Sequence, residues 1–262
     1  MPLNNHPLVS VLMTTYNREK YLPDAIESVI NSTYQHWELI IVDDVSSDRT
    51  VEIARKYELK EERIRVYENE QNLGDYPNRN KAASYAHGKY LKYVDADDLI
   101  YPYGLEQLIF YMEKFPEAAF GLCSLEQDEK MIFPFLLEPQ GIYNYHYKIS
   151  SLFHKAPLSS IIKKEVFDKV GGFSGKQHLG DFEMWMMLSK SYHLVLMPHG
   201  IVWYRAHDDQ QMNDNRTDPH VYFKYLILEN AILNHWDCPL DSSTSEILIK
   251  QLKIKQSKHI FN

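Results

Sequence analysis

The sequence predicts an α/β fold: a mostly parallel, Rossmann-like sheet flanked by helices, with further helices at the C-terminus. Three observations carry this. Short apolar runs alternate with stretches whose apolar residues recur at helical spacing, giving strand, helix, strand, helix over about the first hundred residues. The strand runs are nearly continuous in apolar residues, as strands covered on both faces require. Two of them end in acidic clusters, Asp43-Asp44 and Asp95-Ala96-Asp97-Asp98, and ligands of open α/β sheets bind beyond the carboxyl ends of strands.

Residues 8–13 (LVSVLM) read as the first buried strand, and residues 19–30 carry Tyr21, Leu22, Ala25, Ile26, Val29 and Ile30 on a helix face. Residues 37–42 (WELIIV) form the second strand. Asp48 is placed to cap the next helix, which carries Val51, Ile53, Ala54 and Tyr57. Residues 63–67 are a short third strand, 76–86 a helix with Gly88 as its cap, and 90–94 a fourth strand. Beyond it, 103–115 reads as a helix, 119–124, 131–135 and 159–162 as strands, and 164–170 as a helix stopped by Gly171-Gly172. Residues 181–190 read as a largely apolar helix and 194–197 and 201–204 as strands. The polar stretch DDQQMNDNRTD from Asp208 marks a boundary, and 220–235 and 243–255 read as terminal helices. The expected organisation is one domain over 1–215 and a helical extension over 216–262. That extension either packs on the domain, forms a homodimer or contacts a membrane-bound acceptor.

The chain has 262 residues, 44% apolar and 24% charged, which is globular composition. A net charge of −8 excludes wholesale nucleic-acid binding, because such a surface repels phosphates. Cys123 and Cys238 lack metal-ligand spacing and read as free thiols. The N-terminus MPLNNHPLVS has no basic and apolar leader pattern, and no apolar run reaches the ~20 residues that span a bilayer. A cytoplasmic protein is expected. Lys250, Lys253, Lys255 and Lys258 either give it a peripheral contact with the inner face of a membrane or form a solvated helix face.

The acidic clusters carry the chemistry. On an extended segment Asp95 and Asp97 point to one side. Two carboxylates so placed attract a hard divalent cation, Mn2+ or Mg2+, which bridges them to a diphosphate and neutralises a diphosphate leaving group. The alternative is a solvated acidic turn that caps the next helix.

The order of VSVLMTTYN, ELIIVDD and NRNKAASYAHGKYLKYVDADD resembles the large inverting glycosyltransferase family 2, which has the GT-A fold and includes bacterial surface-polysaccharide enzymes. The family's first strand runs into a Thr-x-x-Asn-type loop, matched by Thr14, Thr15, Tyr16 and Asn17. Its second strand ends in paired Asp followed by Gly-Ser, matched by Asp43, Asp44, Val45 and Ser46. An Ala-Arg-Asn-like segment is matched by Asn78-Arg79-Asn80, and the Asp-x-Asp signature by Asp95-Ala96-Asp97. The resemblance runs over roughly residues 7–212.

It implies that Thr14, Tyr16, Asn17, Asp44, Arg79, Asp95, Ala96 and Asp97 hold a nucleotide-sugar donor, with a UDP-sugar favoured. Physically, Tyr16 either stacks on a base or only packs. Asp44 either accepts a ring N–H of uracil or thymine or, like Asp43, caps a helix. Arg79 pairs with phosphate or with a carboxylate. Residues 161–173 resemble the family segment that ends in Gly-Gly-Phe. Asp181 matches the catalytic base of an acidic pair whose Glu is replaced here by Gly180, a departure expected to alter acceptor contacts. Asp181 otherwise caps its helix, and Glu183 is the fallback base. Tyr204-Arg205-Ala206-His207 resembles a Tyr-Arg-x-His segment, which implies His207 as a metal ligand beside Asp97.

The expected reaction is metal-dependent transfer to a hydroxyl of a glycan or lipid-linked acceptor. A dinucleotide-dependent oxidoreductase would need a glycine-rich turn where TTYNRE stands. A sugar nucleotidyltransferase would carry a glycine-rich basic loop near its start. A non-catalytic nucleotide-sugar-binding protein would lack the base, and Asp181 stands against it.

Overall fold

A computed structural model describes residues 6–126, 128–207 and 219–260, with side chains from 220 to 254 in the last segment. β1 (Val9–Thr15), α1 (Leu22–Ile30), β2 (Trp37–Asp43), α2 (Thr50–Glu58), β3 (Ile64–Glu68), α3 (Asp75–Ser84) and β4 (Tyr90–Tyr93) follow the expected alternation. Then come β5 (Leu99–Ile100), α4 (Gly104–Lys114), β6 (Ala118–Leu125), β7 (Phe135–Leu137) and α5 (Pro139–Lys148). A 3₁₀ turn (Pro157–Ser159) leads into β8 (Ser160–Lys163), α6 (Lys164–Val170), α7 (Gly180–Ser191), β9 (His193–Pro198) and β10 (Val202–Trp203). The terminal helices are α8 (Pro219–Leu233) and α9 (Ser242–Ile260).

Eight strands form one sheet in the order β3-β2-β1-β4-β8-β6-β9-β7, and β10 pairs with β5 in a small ribbon. The sheet is parallel from β3 to β4 and again between β6 and β9. β8 runs antiparallel to both β4 and β6, and β7 is an antiparallel edge. The sheet is therefore mostly parallel, with an antiparallel strand at its middle.

Alternation of side chains divides the core in two. Val9, Val11 and Met13 of β1 and Leu39 and Ile41 of β2 pack with α1, α2 and α4. Leu12, Ile40 and Val42 pack on the opposite face with α3, α5, α6 and α7. α7 buries Phe182, Met184, Trp185, Met186 and Leu188, each worth ~1.5–3 kcal/mol of transfer free energy. It is a helix buried nearly all round, and that fixes its first turn firmly.

Several expectations are corrected. The strand expected at 131–135 starts at Phe135, since Pro134 has no N–H for a ladder. IYNYHY has no apolar period, yet it lies in helix α5, which buries Ile142, Tyr143, Tyr145 and His146. α3 stops at Ser84, so Gly88 is not its cap. A Cβ on Gly88 would meet Ser10 N at 2.6 Å and Leu8 O at 2.7 Å, so glycine lets this turn lie against β1. Gly171 does close α6, in the left-handed conformation at φ 83°.

Leu226, Ile232 and Leu233 of α8 and Leu248 and Leu252 of α9 join the same apolar cluster as α5 and α7. The terminal helices thus pack on the domain. The boundary expected at 215/216 lies outside the described residues. Lys250 and Lys253 are exposed. No described helix is long and apolar enough to cross a membrane.

Candidate active site

β1 pairs in parallel with both neighbours, Thr15 opposite Asp43 and Leu12 opposite Tyr93. The loops that leave β1, β2 and β4 therefore share one rim. Thr14 sits near the end of β1, and Tyr16 just beyond it is 51% exposed. Asn17 adopts φ 52° and clamps two loops together: its N–H donates to Ser46 Oγ, and its Oδ1 accepts from Ser47 N, both at 2.8 Å.

Asp43 is buried and uses its carboxylate inside the rim. It accepts from Thr15 Oγ1 at 2.8 Å, Ser46 N at 2.8 Å and Ser46 Oγ at 2.5 Å. The turn it closes holds Val45 at φ 69°. A left-handed β-branched residue is strained by ~1–2 kcal/mol, part of which glycine's greater unfolded entropy offsets. Val45→Gly is expected to stabilise the protein by up to ~1 kcal/mol, read as a higher Tm. An unchanged or lower Tm would mean that the turn stores no such strain.

Asp44 is also buried. Its Oδ1 accepts from Asn69 Nδ2 and Leu73 N at 2.8 Å, and its Oδ2 from Gly74 N at 2.9 Å. Three protein donors hold the 69–74 loop against β2. A carboxylate has about four lone-pair sites, so about one remains for a further donor.

The expectation that Asp95 and Asp97 share a side is corrected. β4 ends at Tyr93, and residues 95–98 form a turn closed by Asp98 N–H to Asp95 O at 3.0 Å, so strand alternation does not apply. Asp95 accepts from Arg79 Nη1 at 2.6 Å, and Arg79 Nε reaches Asp75 at 2.7 Å. Of the two expectations for Arg79, phosphate or carboxylate, the structure shows the second: it is nearly buried between Asp75 and Asp95. Ala96 is buried. Asp97 Oδ2 meets Arg18 Nε at 3.1 Å and His207 Nε2 at 3.0 Å.

His207 arrives on a fastened segment. Arg205 N–H donates to Asp98 Oδ1, its Nε to Asp97 O and its Nη2 to Asp24, all at 2.9 Å. The imidazole lies 4.6 Å from the Tyr21 ring. Tyr204 Oη meets Ser159 Oγ at 3.0 Å. Lys92, fully buried on β4, pins the same 3₁₀ turn through the carbonyls of Leu158 and Ser160. Sequence reasoning missed Asp98. Burial first, then the charges of Asp95 and Asp97, push its carboxyl up to about 8. The one available signal was its place as the last acid of the run.

Asp97 and His207 fit a divalent ion. Carboxylate oxygen and imidazole nitrogen suit Mn2+, and Mg2+ more weakly. They meet directly, Nε2 to Oδ2 at 3.0 Å, so both ligand atoms are already at one place on the rim. Among the described residues no three His, Cys, Asp or Glu converge as a metal cage. Such ions are commonly held by one or two side chains plus substrate phosphates.

Asp181 is the second residue of α7 and does not cap it; the N-cap position is Leu179. Its Oδ1 accepts from Phe182 N at 2.7 Å and Tyr76 Oη at 3.2 Å. Burial pushes its carboxyl up to about 6, with these two donors and the Arg79 charge pulling the other way. Glu183 is already engaged, accepting from Ser174 Oγ and from Lys176 Nζ at 2.5 Å.

A mostly parallel sheet of this order, with an Asp-x-Asp turn beyond its fourth strand, is a fold of GT-A type. Residues 10–171 match the model of glycosyl transferase family 2, and the chain belongs to that family. The Bacillus subtilis (strain 168) glycosyltransferase TuaG, assigned to teichuronic acid biosynthesis, is 40% identical over 141 residues, 53% of this chain and 56% of that protein. The chain thus spans about half the length of that relative. S. aureus TarS 1–349 in complex with UDP-GlcNAc shares the fold at TM-score 0.69 and 19% identity, over 93% of this chain and 71% of that one. The mannosyltransferase PcManGT from Pyrobaculum calidifontis, in complex with GDP-Man and Mn2+, shares it at TM-score 0.62 and 18% identity, over 88% and 64%. Asp181 and His207 lie beyond the matched family segment.

Proposed function

We propose that the chain moves a sugar from a nucleotide diphosphate donor, with a UDP-sugar favoured, to a hydroxyl of a glycan or lipid-linked acceptor, inverting the anomeric configuration. The observation that carries this reading is the meeting of Asp97 and His207 at 3.0 Å on the rim that also holds Asp44 and Tyr16. The raised Asp181 carboxyl, close enough to feel the Arg79 that grips Asp95, supports it. The UDP-GlcNAc complex of TarS and the GDP-Man and Mn2+ complex of the mannosyltransferase support the donor class and the ion.

In this mechanism Tyr16 offers a ring face to the base, and the remaining lone pair of Asp44 accepts a pyrimidine N–H. Thr14 and Asn17 shape the loop beneath it. Arg79 and Asp95 hold the turn that carries Ala96 and Asp97. Asp97 and His207 would hold Mn2+ or Mg2+, which when bound neutralises charge on the diphosphate. Asp181, ionised above about pH 6, takes the acceptor hydroxyl proton as that oxygen attacks the anomeric carbon from the face opposite the diphosphate. The site works on the cytoplasmic side, and the exposed Lys250 faces outward, where an anionic membrane surface carrying a lipid-linked acceptor could meet it.

Calorimetric titration with UDP, dTDP and GDP, with and without manganese, tests the donor site. Binding of UDP that tightens with manganese is expected. Failure of the folded protein to bind any of the three would overturn the reading.

A further inference from the structure

Gly180 and Tyr76 are a matched pair. A Cβ on Gly180 would fall 2.7 Å from Cδ2 and Cε2 of the Tyr76 ring and 2.8 Å from its Cδ1, so one of the two would have to shift. The ring is fixed from its other sides. It is buried, packs against Phe173 at 5.3 Å between centroids, and belongs to the first turn of α3, where Arg79 ties Asp75 to Asp95. Its phenol donates to Asp181 Oδ1 at 3.2 Å, and Phe182 N–H donates to that same oxygen at 2.7 Å. Among the described residues no hydrogen bond to Oδ2 is found. Two donors on one oxygen fix the carboxylate rotamer and leave the other oxygen to act as acceptor.

We propose that Tyr76 is the positioning residue of the base: its phenol holds Oδ1 so that Oδ2 takes the acceptor proton, and a residue without Cβ stands at Gly180 to admit the ring. The inference rests on Asp181 being the base. It gives a physical reason for the departure from the family's acidic pair, since the space a side chain at 180 would fill belongs to a ring from α3. Burial raises the Asp181 carboxyl to about 6 and the phenol opposes that rise, so removing the hydroxyl must raise it further.

Tyr76→Phe keeps the ring and removes only the donor. The Asp181 carboxyl can be titrated by carbon-13 NMR, with the signal assigned by its loss in Asp181→Asn. Turnover is followed as UDP release from UDP-N-acetylglucosamine with manganese, water serving as acceptor. In Tyr76→Phe the titration midpoint is expected to move up, and kcat on its alkaline plateau to fall by ~10-fold or more, because the carboxylate loses the orientation that aims Oδ2 at the acceptor. The acid limb of kcat should move with the midpoint, and the donor KM should stay the same. Gly180→Ala, which displaces the ring, should raise the midpoint likewise. Adding Tyr76→Phe to Asp181→Asn should cost nothing further. An unmoved midpoint with unchanged kcat in Tyr76→Phe overturns this inference and leaves the base reading standing. Undiminished turnover in Asp181→Asn overturns the base reading, and this inference with it.

Discussion

Asp181→Asn is expected to lower turnover by ~10²–10⁴-fold, the usual contribution of a positioned general base, while metal-dependent nucleotide binding stays nearly intact. The amide keeps the shape of the side chain and can still accept from Tyr76 and Phe182, so the loss isolates proton transfer. The intact protein should show the matching pH dependence. Burial pushes the Asp181 carboxyl up to about 6, so kcat should fall about tenfold per pH unit below that value and level off above it. The sign for stability runs the other way. Burial disfavours the ionised form in the folded state, so this group's contribution to stability is fully present below its unfolded pKa and is lost as pH rises through about 6. Asn removes that penalty, so at pH 8 the variant should melt no lower than the parent. Full turnover in the variant would remove Asp181 from the chemistry.

Asp97→Asn has the second largest expected effect. The carboxylate meets both Arg18 Nε and His207 Nε2 at the rim. Replacing it leaves an imidazole and a neutral amide, a weak pair for a hard cation. The tightening of UDP binding by manganese is expected to shrink by ~100-fold or more, measured by calorimetry. Metal-free nucleotide binding should hold or improve, because one negative charge facing a diphosphate is gone. The same manganese effect in parent and variant would take Asp97 out of metal binding.

Much of this site was legible because its framework is regular. WELIIV and YLKYV are strand-forming runs too short for helices, so the acids that follow them had to lie at strand ends. What stayed hidden depends on contacts between distant residues. Tyr76 meets Asp181 across 105 positions, and no local pattern encodes that. The three-way split of Asp95, Asp97 and Asp98 toward Arg79, His207 and Arg205 could not follow from strand alternation, because β4 stops before them. Strands of two residues such as β5 and β10 give no period to read. Arg79 could be read toward phosphate or carboxylate from its type alone, and only its neighbours Asp75 and Asp95 fix where it sits.

The sheet order also bears on how the chain acquires its site while it is being made. β1, β2 and β3 are neighbours both along the chain and across the sheet, so the loop that Asp44 organises can form once the first crossover units have emerged. β4 closes onto β1 next and brings the Asp-x-Asp turn to the same rim. Asp181 waits for β8 to enter beside β4 and for α7 to dock, and His207 follows last. A ribosome-bound chain therefore completes the rim of β1, β2 and β4 before α7 brings Asp181 to it. The topology makes the carboxylate proposed as the base a late arrival.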